Sequence, residues 1–124
     1  MIYALTIFTL LAIALHIFIW YLEAFAWETK ATKVFGHSVT DAQNTKEIAF
    51  NMGFYNLFLA IIAALGLIIF LSDATSVGIA LIAAGLGSMF AAALLLFFTS
   101  PNKRSAALKQ GFFPFLGLLF LVFI

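Results

Sequence analysis

Two amides and a phenol in the stretch Asn51-Met52-Gly53-Phe54-Tyr55-Asn56 interrupt a sequence that is otherwise close to pure hydrocarbon. Polar side chains at membrane depth are costly, usually face a bundle interior or a wet cavity, and mark candidate functional sites. A second group precedes them. At 3.6 residues per turn, His16, Trp20, Glu23 and Trp27 fall within about 60° of one another on one helical face. Glu47 shares a face with Asn51 and Tyr55, Asn56 points about 140° away from Asn51, and Gln110 opens a later apolar stretch. Glu23 could accept a proton or a cation, or it could be a boundary residue in reach of water, of His16 or of a loop lysine. Trp20, Trp27 and Tyr21 fit interfacial anchors, and beside an acid they also suit an organic cation through cation–π contact. Asn51 and Asn56 read either as ligand contacts or as interhelical glue, worth about 0.6 kcal/mol on average in membranes.

Other chemistry is excluded by what the chain lacks. His16 and Glu23 lie about 10 Å apart along a helix and no second histidine falls in a span, so no metal site is expected. His37 is expected to be solvated. There is no cysteine, no Ser-His-Asp order, no phosphate-cradling glycine loop and no HExxH. Gly85-Leu86-Gly87 is a packing feature without the strand and spacing of a dinucleotide fingerprint. No cofactor is expected.

The elements that must position these residues follow from composition. Of 124 residues, 65% are hydrophobic and 9% charged, with a mean hydropathy of +1.18; soluble domains carry about 25% charged residues. An all-α integral membrane four-helix bundle is therefore predicted. At about 20 residues per crossing, the single domain is expected to hold spans at about 2–27, 47–71, 77–98 and 106–124, with a hydrophilic loop at 28–46 that ends in a helix start. The first span carries no Lys or Arg before its apolar core, unlike a cleaved signal peptide, and is expected to remain. Ser38 with Asp41 three residues later has cap spacing, so the second helix is expected to begin near Val39 or Thr40. The third span is uncharged and rich in Gly and Ala, which suits close helix packing. Pro114 in the fourth frees backbone groups that need partners within the protein.

Lys30, Lys33 and Lys46 lie between spans one and two, and Lys103, Arg104 and Lys109 at the three–four connection, while the Ser72–Ser76 turn has no basic residue. The positive-inside rule then places both basic connections in the cytoplasm and both termini outside. It also brings His16, Trp20, Glu23, Trp27, Glu47, Asn51, Tyr55, Asn56 and Gln110 to the cytoplasmic half. A net charge of +1 with only six Lys or Arg argues against nucleic acid as a partner.

HIFIWYLEAFAW from His16 to Trp27, KVFG from Lys33 to Gly36, NMGFYNLFLA from Asn51 to Ala60 and QGFFP from Gln110 to Pro114 together resemble the small four-helix bacterial membrane proteins of the domain-of-unknown-function family thirteen-oh-four. The resemblance spans essentially the whole chain; Met52 and Leu57 stand where the family pattern has Gln and Gly. It implies a four-helix membrane bundle, and no activity, substrate or catalytic residue. Three function classes stay open. One is a small-molecule binding or transport module in a bacterial inner membrane, taking a small lipophilic or cationic ligand. Another is a membrane-embedded enzyme on a lipid or isoprenoid, using Glu23 with Glu47 or His16. The third is a structural or accessory subunit. Membrane lipids are the expected surroundings in a multi-pass cell-membrane protein, and the Ala/Gly-rich face of the third span could equally serve a homo-oligomer.

Overall fold

The computed structural model describes residues 1–124, all of them in helices or short connections. Five α-helices follow one another: α1 Ile2–Phe25, α2 Lys30–Phe35, α3 Val39–Phe70, α4 Thr75–Thr99 and α5 Arg104–Val122. A single 3₁₀ turn, Pro101–Lys103, separates the last two. Four helices are long and apolar enough to cross a membrane, and none of them is strongly one-sided, as expected where lipid rather than water faces the outside. The protein is thus all-α, of a multi-pass membrane type.

Local chemistry sets the helix ends. α1 stops where the hydrocarbon run gives way to Trp27-Glu28-Thr29, and its last turn is tied by Ala31 N–H donating to the Ala26 carbonyl at 3.0 Å. α2 then folds back under that end and closes on Gly36, whose φ of +77° is the left-handed value that glycine adopts without a Cβ penalty. α3 opens at Val39, with Ser38 Oγ accepting from Asp41 N–H at 3.1 Å. Much of the 28–46 segment, expected to be a loop, is therefore helical. The 32 residues of α3 reach about 48 Å, beyond the roughly 30 Å of a hydrocarbon core, so its first turns stand clear of the span.

The long helices close a ring in which α1 meets α3 and α5, and α4 meets α3 and α5. Without a hydrophobic drive between helices in lipid, contact comes from small residues that let backbones approach. A Cβ at Gly66 would lie 2.7 Å from Ile82 N, and one at Gly85 would lie 3.0 Å from Ala63. The main core, including Leu5, Ala12, Ala63, Leu67, Ile82 and Leu86, fills the half of the bundle away from the basic residues. A smaller cluster of Leu22, Ala26 and Ala31 with Trp27 and Phe35 seals the other end.

Candidate functional site

The antiparallel ring brings the end of α1, the start of α3 and the α4–α5 connection to one end of the bundle. Gly53 makes the closest approach there. A Cβ on it would sit 3.1 Å from both Ala24 N and Glu23 Cβ and 3.2 Å from the Trp20 carbonyl. The glycine lets α3 seat directly on the last turns of α1, and so brings Asn56, one turn on, beside Glu23.

Asn56 Nδ2 donates to Glu23 Oε1, joining α1 to α3 across 33 residues of sequence. The same amide also donates to the Met52 carbonyl at 3.2 Å, which fixes its rotamer. Glu23 is half-buried and makes no salt bridge; the one ion pair in the protein is Lys46 Nζ with Glu28 Oε1 at 2.9 Å. Lys103, in the α4–α5 connection at the same end of the bundle, forms no ion pair with it.

On the other flank of Gly53 stands a cluster of rings. Trp20 meets Phe25 and Phe54 edge to face, with centroids 5.5 and 5.9 Å away, and Phe50 closes on Phe54 at 5.0 Å. The Trp20 indole Nε1 is buried without a partner. Below this cluster Trp27 Nε1 donates to Thr45 Oγ1 at 3.0 Å, and the indole lies against His37 at 4.1 Å between ring centroids.

The residues singled out from sequence therefore separate. Trp20, Glu23 and Asn56 come together around Gly53. His16 is buried on the inner face, and its Nδ1 donates to the Ala12 carbonyl at 2.9 Å. Gln110 lies half-buried on α5, on the wall of a cavity of about 130 Å³ between α1, α2 and α5. Glu47 is exposed. Asn51 is exposed as well, donating within its own helix to the Glu47 carbonyl at 2.9 Å. Tyr55 is 63% exposed, so the face shared by Asn51 and Tyr55 turns outward, and Asn56 is the amide that crosses to α1. Glu23 lines none of the four principal cavities.

Sequence reasoning missed two residues. His37 is half-buried rather than solvated: its ring packs at a tilt of 31° against Trp27, and its Nε2–H donates to the Trp27 carbonyl at 3.1 Å. Thr9 is fully buried, with its hydroxyl unpaired. A signal for Thr9 does exist: Thr9, His16 and Glu23 repeat at seven-residue spacing, the period that keeps side chains on one helix–helix seam.

Comparison with known proteins returns a family model described as "Protein of unknown function (DUF1304)", matched over residues 10–122. No curated protein and no solved structure matches the chain.

Proposed function

The chain belongs to the DUF1304 family, whose function is unknown, and from that starting point we propose that it is a small-molecule binding or transport module centred on Glu23, taking a small cationic species. The observation that supports this reading is the partner Glu23 has. An ionised carboxylate at membrane depth needs a counter-charge; Asn56 offers a hydrogen bond but no charge, and no Lys or Arg forms an ion pair with Glu23. A carboxylate can accept at about four lone-pair positions; one Asn56 N–H fills one of them. A cation or a proton completes the set, and the Trp20, Phe25 and Phe54 rings nearby suit an organic cation.

Orientation follows from charge. All six Lys and Arg fall in the connections at the Glu23 end or the first turns beside them, so that end is cytoplasmic by the positive-inside rule and both termini are outside. In this reading the ligand meets Glu23 from the cytoplasmic side of the cell membrane.

One observation favours a second reading, in which the chain is a structural or accessory subunit. The Glu23–Asn56 bond already joins two helices, which is what interhelical glue does. The enzyme reading has less support, because His16 lies two turns from Glu23, bonded to its own helix, and Glu47 is exposed.

Glu23→Gln separates the first two readings, since a glutamine still accepts from Asn56 but carries no charge. With tetraphenylphosphonium as the probe and the full chain in proteoliposomes, binding is expected to fall tenfold or more while the melting temperature stays put. If the wild type does not bind the probe and Glu23→Gln leaves any cellular phenotype unchanged, the accessory reading stands instead.

A further inference from the structure

We infer that the groove between α4 and α5 is a binding site for an anionic phospholipid, with one acyl chain along its floor and the phosphate at Arg104. The groove is a cavity of about 370 Å³ with an almost wholly apolar lining, and it is separate from Glu23 and independent of the function proposed for it. On α5 its wall is Ala107, Leu108, Gly111, Phe112 and Phe115, a stripe at three- and four-residue spacing; on α4 it is formed chiefly by Phe90, Leu94, Phe97 and Phe98. The groove exists because Gly111 carries no side chain. A Cβ there would stand 3.0 Å from Ala93 Cβ, so the helices touch at that point, and beside it the Phe90 and Phe115 rings of the wall meet with centroids 5.5 Å apart.

Arg104 stands at the head of the same α5 stripe, three residues before Ala107. Its guanidinium carbon lies 4.7 Å from the centroid of the Phe97 ring, and its Nε donates to the Phe97 carbonyl at 3.0 Å. Phe97 is itself part of the groove wall. The guanidinium is thus held at the rim by two contacts that leave its terminal nitrogens free, and it forms no ion pair. Those nitrogens are the donors that pair in parallel with two phosphate oxygens.

Length selects the occupant. From Arg104 to Phe115 the stripe runs about 16 Å at 1.5 Å per residue, close to half of a hydrocarbon core about 30 Å thick. A groove with its charge at one end and its apolar floor ending near mid-bilayer fits a lipid of one leaflet. A free phosphate would leave the floor empty. A second copy of this chain would present its own basic end to Arg104.

Native mass spectrometry of the full chain, released from detergent and titrated with phosphatidylglycerol or phosphatidylcholine, tests this. The wild type is expected to retain phosphatidylglycerol over phosphatidylcholine by about fivefold or more, the equivalent of about 1 kcal/mol for one basic residue at a membrane surface. Arg104→Gln is expected to erase that preference while leaving phosphatidylcholine retention unchanged. Leu108→Trp, a change at an exposed wall position, is expected to reduce retention of both lipids. Equal retention of the two lipids by the wild type, or an unchanged preference in Arg104→Gln, would overturn the proposal. So would competition by glycerol phosphate as effective as that by the intact lipid, or a lipid-free dimer that Leu108→Trp dissolves.

Discussion

At the scale of single residues, the contrast between Asn56 and Asn51 separates a bond that joins helices from one that does not. Asn56 donates across to Glu23, whereas Asn51 donates only to the carbonyl one turn back in its own helix. Removing the first leaves a half-buried carboxyl without its donor, a situation that costs about 1–3 kcal/mol; removing the second leaves nothing unpaired. Asn56→Leu is therefore expected to destabilise the bundle by about 1–3 kcal/mol, and Asn51→Leu to stay within about 0.5 kcal/mol of wild type, read from unfolding in mixed detergent micelles. Equal losses from the two would show that Asn56 has no special place. That both amides lie at the end of the bundle where the basic residues gather was legible in the sequence, but which of them turns inward was not, because a helix wheel fixes their relative angle and leaves the rotation of the helix free. Gly53 supplies the missing reference. It lies about 60° from Asn56 and about 160° from Asn51 around the helix, and as the residue pressed against α1 it marks the face that Asn56 shares.

At the scale of elements, the small residues of α3 show how a helix without an amphipathic pattern still has an inside. Ala42, Ala49, Ala63 and Phe70 are buried at multiples of seven residues, as are Gly53, Ala60 and Leu67, and Asn56 falls in the first series. In water such a seam would be read from hydrophobicity; in lipid, where both faces are apolar, size carries the information. The same rule divides α4. Gly66 of α3 and Gly85 are packed against backbone or Cβ atoms of the facing helix, while Gly87 has no atom within 4 Å of where a Cβ would stand. Gly66→Ala is thus expected to lose about 1–3 kcal/mol through overpacking. Gly87→Ala is expected to be neutral or to gain up to about 1 kcal/mol from helix propensity. Thermal melts of the two variants in one detergent check the pair, and a loss from Gly87→Ala equal to that from Gly66→Ala would contradict the packing described. The helical part of the 28–46 segment was less legible, since α2 has only six residues and holds through its contacts with Leu22, Trp27 and Ala26 more than through any periodicity of its own. His37 was misjudged for the same reason: the ring it packs against is ten residues away, on the far side of that short helix.

At the scale of the whole molecule, four apolar stretches and their order were readable from the run of hydropathy along the chain, because the cost of unpaired backbone in lipid leaves helices as the economical solution for a chain of this kind. The distribution of charge adds a direction. With no native cysteine, single-cysteine variants report the orientation directly: on intact cells an impermeant maleimide is expected to label Asp73→Cys and to spare Lys103→Cys until the membrane is opened. The reverse pattern would invert the proposed topology. The pairing of Glu23 with Asn56 also has a consequence in time. The two are separated by 33 residues, and at a synthesis rate of about 5–20 residues per second the interval between their appearances is about 2–7 s. Throughout that interval the carboxyl of the first helix has no donor from the second. The bond can form only once residue 56 has been made, so it belongs to the packing of the helices against one another and not to the forming of the first.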